Sequence, residues 1–524
     1  MPGRAQEMYD DLSIPLSASL PKSKKKRSKK SRRINLVWLE KHRTHYLDEL
    51  IRADGRGDVP SITVCPDCAA RGKSPGTAEF RCMDCFSPYL VCSSCCTEQH
   101  SRDPFHRVER WNGDFFTKTS LAKLGLTVQL NHTTTQCSNP LRCHQNFLVM
   151  DTTGPHRLLY PATQDVIQTC ATFRYLDFIH LHSLTSKGST LGFYQTMERL
   201  DDNCGLAPPM WRYPALKLML SQWRHLHMLK RGGRGHDPNP RRVEDTKPAE
   251  LAIKCPSCPR PGINLPHDYL DAPPQDRFLY RAMIAMDANF RLKNQLVSSW
   301  TRDPGMGIGC AYFVERKGYE RYIKTRMHDE DISTCVGFAA LAKAATKYSR
   351  GLRYTGVGAV SCARTDMITA VGNLEKGERY GNMDYTFGIA LREFVGVDDI
   401  LISYDIACQW FVNLESRMKK LWPEEIKPPS TFTAVPAIPK FHEPGHGQLN
   451  HEEYSLNIIP GVGSTDAEGP ERIWAFHNPL ANSTKPMAPA TRLLVLDDNF
   501  GFWNWLKYAG HGKSLHFAPY FIAN

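Results

Sequence analysis

Two short apolar segments that each run into an aspartate constrain the fold more than any other feature of this sequence. Residues 280–286 are followed by Asp287, and residues 400–404 are followed by Asp405. Apolar runs of this length are typical of strands buried in a sheet. A carboxylate beside a buried strand is costly unless it is paired, so both aspartates are candidates for a functional site.

The elements around the two aspartates follow the order of an RNase H-like α/β core. Residues 354–365 and 366–378 are predicted as two strands and residues 383–395 as a helix, with an insertion at about 293–353. In this order the two aspartate strands lie side by side, so Asp287 and Asp405 repel each other unless a cation sits between them. Mg²⁺ or Mn²⁺, which take oxygen ligands, fits this requirement.

A third acid is expected on a helix packed across the same sheet. The segment 461–476 offers Asp466, Glu468 and Glu471 after a glycine-rich turn, with Trp474 available for packing. Glu471 is favoured as the third ligand and Glu468 is the second choice. Asp466 is a candidate N-cap of the helix.

A cysteine-rich block at residues 65–106 contains three Cys-x-x-Cys pairs followed by two histidines. Such pairs let two thiolates reach one zinc ion, and eight ligands make two tetrahedral sites. The interleaved order of B-box-like fingers predicts two structural Zn²⁺ ions, the first bound by Cys65, Cys68, Cys92 and Cys95 and the second by Cys82, Cys85, His100 and His106. Cys96 is left over and could replace Cys95. Small zinc modules of this kind bind proteins at least as often as DNA, so a protein partner is a candidate.

The net charge of +12 comes mostly from one run at residues 22–33, which holds nine Lys or Arg and no acid. This run predicts a nuclear import signal or a contact with the phosphate backbone of DNA. No stretch is apolar enough to cross a membrane and no signal peptide is recognisable, so the protein is expected in the nucleus.

The sequence predicts five regions. They are a disordered basic tail (1–60), a zinc-binding domain (61–110), a mostly helical middle segment and linker (111–250), the α/β core (251–510) and a truncated C-terminus (511–524).

Several long motifs resemble the transposases of the KDZ group, encoded by the Kyakuja, Dileera and Zisupton DNA transposons that have expanded in fungi. They include "MDANFRL", "GVGAVSCARTDMITAVGNLEKGERYGNMDYTF", "ISYDIACQW", "VPAIPKFHEPGHG" and "GVGSTDAEGPERIWAFHNPLANSTKPMAPATR". The block at 65–106, with the aromatic residues at 111–116, resembles the cysteine-cluster domain associated with those transposases.

The resemblance implies an RNase H-like transposase with a catalytic triad of two aspartates and a glutamate. The triad falls on Asp287, Asp405 and either Glu471 or Glu468, and the "ERIWA" stretch resembles a pattern of hAT-type transposases that favours Glu471. The implied activity is metal-dependent cleavage and strand transfer of DNA. The implied partners are transposon ends and target DNA, with a second copy of the chain as a further candidate.

The chain also departs from the family pattern. Alanine stands at 288 and 467 where glycine is usual, Thr365 stands in place of histidine, and Asn450 in place of cysteine. A Cys-x-Cys expected after residues 149–161 is missing, and the chain ends about fifty residues after Glu471. These departures predict a shortened or decayed copy. The alternative function is therefore a catalytically inactive remnant that binds DNA or protein through its zinc domain.

A further cysteine pair, Cys255 and Cys258, has two interpretations. The pair shares a zinc ion with His442 and His446, or it consists of buried thiols in a proline-rich turn.

Overall fold

The computed structural model describes residues 34–57, 62–86, 89–103, 106–119, 121, 123–126, 171, 173–201, 211–236, 241–307, 309–326, 350–428, 432–446 and 451–522. The basic run at 22–33 lies outside these ranges, as do Cys137, Cys143, Cys170 and Asn450.

The N-terminal part combines two helices with a small cysteine-rich module. Its elements are α1 (Ile34–Lys41), α2 (Arg43–Asp54), α3 (Pro66–Ala70), β1 (Phe80–Cys82), α4 (Ser93–Gln99), β2 (Val108–Trp111) and β3 (Phe116–Thr119). The three strands form an antiparallel sheet in the order β1-β2-β3. Helices α1 and α2 depart from the disordered tail expected for residues 1–60, because Trp38 and Leu47 are buried in the main core.

The middle segment is helical in its described part, with α5 (Phe173–Thr185), α6 (Thr190–Asp201) and α7 (Tyr213–Arg231). Leu216, Leu220, Trp223 and Leu226 of α7 are buried in the same hydrophobic cluster as residues of the α/β core. The middle helices therefore pack directly on that core.

The core contains seven strands and seven helices within the described residues. They are β4 (Ala282–Asn289), β5 (Asn294–Gln295), α8 (Arg316–Thr325), β6 (Leu352–Tyr354), β7 (Gly356–Cys362), β8 (Ile368–Leu374), α9 (Tyr380–Leu391), β9 (Asp399–Tyr404), α10 (Ala407–Trp410), α11 (Leu414–Lys420), β10 (Thr433–Ala437), α12 (Gly469–His477), α13 (Ala481–Thr484) and α14 (Pro489–Ile522).

Five of these strands form one mixed sheet in the order β10-β9-β4-β7-β8. Strands β10, β9 and β4 are parallel, whereas β4 with β7 and β7 with β8 are antiparallel. Helix α9 contributes to the hydrophobic cluster on one face of the sheet, and α12 and α14 contribute to the cluster on the other. The α/β class predicted from the sequence is confirmed.

The sheet register places the two candidate aspartates next to each other. Met286 of β4 lies opposite Tyr404 of β9, so Asp287 and Asp405 occupy the next positions along adjacent parallel strands. Asp287 lies within β4 and not after it as expected, because pairing with β7 extends the strand to Asn289.

None of the helices in the described parts of the chain has both the length and the apolarity that crossing a bilayer requires.

Candidate metal and catalytic sites

Three carboxylates meet beside the C-terminal end of β9. Oxygen atoms of Asp287, Glu378 and Asp405 all lie within 4.8 Å of one another, and each side chain is partly buried. Glu378 comes from the loop between β8 and α9 and was not among the acids singled out from the sequence. Its only signal is an acid in the turn "LEKGER", which gives no hint that the turn folds back towards β4.

The electrostatics of this carboxylate cluster favour a bound cation. Burial, reinforced by the neighbouring Glu378, raises the pKa of Asp405 to about 8. Burial and the charge of Asp287 likewise raise the pKa of Glu378 to about 8. The pKa of Asp287 is raised well above its ordinary value by burial and by Asp405. Carboxylates this close either keep a proton or share a cation, and a divalent ion would remove the repulsion.

Neighbouring side chains fix two of the three carboxylates. Trp474 of α12 donates its indole N–H to Oδ2 of Asp287 at 2.6 Å, and the Tyr404 hydroxyl donates to Oε1 of Glu378. Oδ1 of Asp405 is buried and accepts no hydrogen bond within the described chain. A buried carboxylate oxygen without a donor is a costly arrangement that a metal ion would satisfy. The donor set, all oxygen, suits Mg²⁺ or Mn²⁺.

The start of α12 brings both candidate glutamates to the same cleft. Glu468 and Glu471 line it together with Asp287, Asp405 and His442. Glu471 is exposed, and its negative charge contributes to raising the pKa of both aspartates. No hydrogen bond or ion pair joins Glu471 to another described residue, so its carboxylate is available to a ligand.

Glu468 has a different environment from Glu471. It is 4% exposed, and its Oε1 accepts a hydrogen bond from the Phe441 amide at 2.8 Å. The same oxygen lies 3.6 Å from Nδ1 of His442, and this interaction raises the pKa of His442 to about 9. Glu468 therefore fixes residues 441 and 442 at the cleft and holds the imidazole of His442 there in its charged form.

The turn before α12 has an unusual backbone. Ala467 has a φ of 56°, in the left-handed region that favours glycine, and this accounts for the glycine usual at this position. Asp466, expected to cap the helix, instead accepts a hydrogen bond from the amide of Glu468, which is itself the N-cap residue. Arg472 binds both Asp466 and the buried Asp366, at 2.9 to 3.1 Å, and anchors the first turn of α12.

The cysteine-rich module gathers its eight candidate ligands into two groups. One consists of Cys65, Cys68, Cys92 and Cys95 and the other of Cys82, Cys85, His100 and His106, with the ligand atoms of each group within 4.8 Å of one another. The sulfur of Cys68 lies 3.6 Å from those of Cys92 and Cys95. Thiolates around a tetrahedral zinc ion are about 3.7 Å apart, given Zn–S bonds of about 2.3 Å. Both groups could hold zinc.

In the second group, a hydrogen bond also orients a histidine for metal binding. Nδ1 of His100 donates to the Cys96 carbonyl at 2.7 Å, which leaves Nε2 as the unprotonated nitrogen, 3.1 Å from the Cys85 sulfur. A histidine that ligates a metal usually donates its other N–H in this way. Cys96 itself is fully buried and stays outside both groups, so it does not replace Cys95.

Two more groups in the core could hold a metal, and neither is the one suggested by the sequence. Cys255 and Cys258 lie with Cys362, and His446 lies with Cys408 and His451. The suggested combination of Cys255 and Cys258 with His442 and His446 is therefore wrong. Long-range packing brings β7 to the cysteine pair and keeps His442 beside Glu468, which the spacing of these residues could not reveal.

A mixed α/β domain with clustered carboxylates, joined to a cysteine-rich module, defines a candidate metal-binding protein of several sites. Residues 280–504 match the family model described as Kyakuja-Dileera-Zisupton transposase. Residues 121–159 and 156–205 match the model described as CxC2 like cysteine cluster associated with KDZ transposases, a match that begins after the cysteine block at 65–106. The chain therefore carries the KDZ transposase domain, and the resemblance to these transposases seen in the sequence is confirmed. The cysteine-cluster match lies at 121–205 and does not cover the block at 65–106 that was assigned to it from the sequence. No curated protein and no solved structure matches the chain.

The matched models point to a transposon-derived DNA-binding protein.

Proposed function

We propose that this protein is a nuclear DNA transposase whose RNase H-like core cleaves and joins phosphodiester bonds with the help of Mg²⁺ or Mn²⁺. The observation that carries the proposal is the convergence of Asp287, Asp405 and Glu471 on one cleft from β4, β9 and α12. The strand order is β8-β7-β4-β9-β10, and both β9 and β10 run parallel to β4, as is expected of an RNase H-like sheet.

In this proposal the side chains hold the metal ions and orient the reacting groups. Asp287 is a well-oriented ligand, because Trp474 donates a hydrogen bond to its Oδ2. Divalent ions held by Asp287, Asp405 and Glu471 would activate water or a 3′-hydroxyl for in-line attack and would stabilise the leaving oxygen. Glu471 fits the third ligand position better than Glu468, whose carboxylate is committed to Phe441 and His442.

Two further groups in the cleft have auxiliary roles in this scheme. Glu378 is an additional acid that either joins the ligand set or accepts a proton during the reaction. His442, with its pKa raised to about 9 by Glu468, is positively charged at neutral pH and can attract a DNA phosphate.

The cysteine-rich module is proposed to bind two structural Zn²⁺ ions with the eight ligands named above. Its own hydrophobic cluster is small, and four of its nine buried members are the sulfur ligands of the first group. A module with so few buried hydrophobic residues depends on metal binding for its stability.

The test is nicking of supercoiled plasmid by the full chain in Mn²⁺, beside Asp405→Asn and a matched control. Asp398→Asn makes the same change at the exposed residue just before β9, at the opposite end of that strand. The proposal predicts nicking by the wild type and the control and none by Asp405→Asn, with Glu471→Gln far more damaging than Glu468→Gln. Equal nicking by wild type and Asp405→Asn would refute it.

The second candidate function is a catalytically inactive remnant that binds DNA or protein. The substitutions at 288, 365, 450 and 467 favour it. Ala288 follows Asp287 in β4, and Ala467 lines the cleft beside Glu468. Folded, zinc-loaded wild type that binds DNA and nicks none in Mn²⁺ would establish this alternative.

A further inference from the structure

Three buried cysteines converge on one point at the end of strand β7. Cys255 and Cys258 are each 5% exposed and Cys362 is 1% exposed, and their sulfur atoms lie within 4.8 Å of one another. All three are free thiols, although they come from segments about one hundred residues apart. Reduced cysteines of an ordinary core have no reason to present their sulfurs to one another.

The loop that carries the first two cysteines has the shape of a metal-binding knuckle. A two-residue gap allows both thiolates to reach one ion. The Asn264 side chain closes the loop by donating to the carbonyls of Pro256 and Cys258, at 3.1 and 2.8 Å, and by accepting from the amide of Arg260 at 2.7 Å. These bonds satisfy the backbone of the loop and leave its two sulfurs directed at the sheet.

Thr365 is the residue nearest to a fourth ligand position. Its hydroxyl lies 3.1 Å from the Cys255 sulfur, and it follows Cys362 by three positions in the turn between β7 and β8. A hydroxyl is a much weaker ligand for zinc than a thiolate or an imidazole. The group therefore offers three strong ligands and one position open to the hydroxyl or to water.

We infer that Cys255, Cys258 and Cys362 form a further binding site for a thiophilic divalent cation, zinc in the first instance, with Thr365 at its weak fourth corner. Three thiolates select zinc over Mg²⁺ and Mn²⁺, so this site is chemically separate from the carboxylate cluster. The inference does not depend on the proposed nuclease activity.

The position of the site gives it a structural role. Cys362 pairs with Ile284 of β4, the strand that carries Asp287. The turn that follows contains Asp366, which holds Arg472 and thereby the first turn of α12. A metal ion bound by the three cysteines would link this turn to the 255–258 loop. It would thereby stabilise the Asp366 turn that anchors α12, the helix that carries Glu471.

The test is the zinc content of the purified full chain, measured by mass spectrometry of the metal, for the wild type, Cys362→Ser and Cys310→Ser. Cys310 is a free, half-buried cysteine that belongs to none of the metal-capable groups. The inference predicts that Cys362→Ser holds one zinc fewer per chain than the other two proteins. Equal zinc content in all three would overturn it.

A second variant keeps the test decisive if Cys362→Ser does not fold. Thr365→His replaces the weak hydroxyl at this corner by an imidazole and leaves the three cysteines unchanged. The inference predicts that one zinc ion of the wild type is lost to a chelator before the others, and that Thr365→His holds this ion about tenfold or more tightly. Unchanged zinc release by Thr365→His would refute the assignment of the fourth corner.

Discussion

Replacing Trp474 with phenylalanine would remove one hydrogen bond from the carboxylate cluster and almost nothing else. The indole N–H of Trp474 lies 2.6 Å from Oδ2 of Asp287, and the side chain is 4% exposed. Phenylalanine keeps most of the buried aromatic surface. The change therefore tests whether this hydrogen bond prepares Asp287 for a metal ion.

The size of the effect follows from the hydrogen bond itself. A bond to a charged group contributes about 1.5–3 kcal/mol, and one pKa unit corresponds to about 1.4 kcal/mol. The Trp474 bond favours the ionised form of Asp287, so its loss raises the pKa of Asp287 further. Because the metal needs the ionised carboxylate, Mn²⁺ binding at neutral pH should weaken by about 10- to 100-fold.

The assay is calorimetric titration of the zinc-loaded protein with Mn²⁺, with Trp422→Phe as the matched control. Trp422 is also 4% exposed and also donates its N–H to a carboxylate, that of Asp384, at 3.3 Å. Asp384 is paired with Arg417 and lies outside the cluster, so this variant should bind Mn²⁺ like the wild type. If Trp474→Phe bound Mn²⁺ as tightly as the wild type, Asp287 would not be a metal ligand positioned by Trp474.

Three further predictions concern pH and stability. The pKa values of Asp405 and Glu378 are raised to about 8 without metal, so Mn²⁺ binding should release protons and the affinity for Mn²⁺ should increase as the pH rises from 6 to about 8. Titrations in buffers of different ionisation enthalpy measure the released protons, and an affinity independent of pH would contradict the prediction. Asp384→Ala leaves the buried Arg417 without its carboxylate and should lower the free energy of unfolding by about 3–5 kcal/mol in urea titrations, whereas a loss below about 1 kcal/mol would show that the pair is not structural. Burial raises the pKa of Asp497 to about 7, so its stabilising contribution is complete below about pH 4 and is lost as the pH rises through 7. The free energy of unfolding of Asp497→Asn relative to the wild type should therefore increase from about pH 4 to 7, as measured by urea titrations at several pH values. Parallel pH profiles for the two proteins would refute the raised pKa.

Strands β4 and β9, which carry the two aspartates to the candidate site, were predictable because the sequence pattern of each strand is local. The apolar runs before Asp287 and Asp405 give the strands, and the order of elements gives their neighbourhood in the sheet. The grouping of the eight Cys and His residues in the N-terminal module followed from two signals. The spacing within each Cys-x-x-Cys pair lets both thiolates reach one ion, and the interleaved order of B-box-like fingers decides which pairs share it. In both cases short-range pattern carries most of the information.

The contributions of loops and distant segments were not predictable from such patterns. Glu378 reaches the cluster because the β8–α9 loop brings it next to Asp287 and Asp405, and Cys362 reaches Cys255 and Cys258 because β7 ends beside their loop. Helices α1 and α2 escaped prediction because they follow a strongly basic run, although Trp38 and Leu47 anchor them in the main core. Tertiary packing decides each of these placements.

The most direct test of the proposed metal site is anomalous diffraction from crystals of the full chain grown or soaked with Mn²⁺. We expect manganese density in the cleft, with Asp287, Asp405 and Glu471 as protein ligands. Crystals that show zinc in the cysteine-rich module and no manganese at the carboxylate cluster would contradict the claim that this cleft is the catalytic metal site.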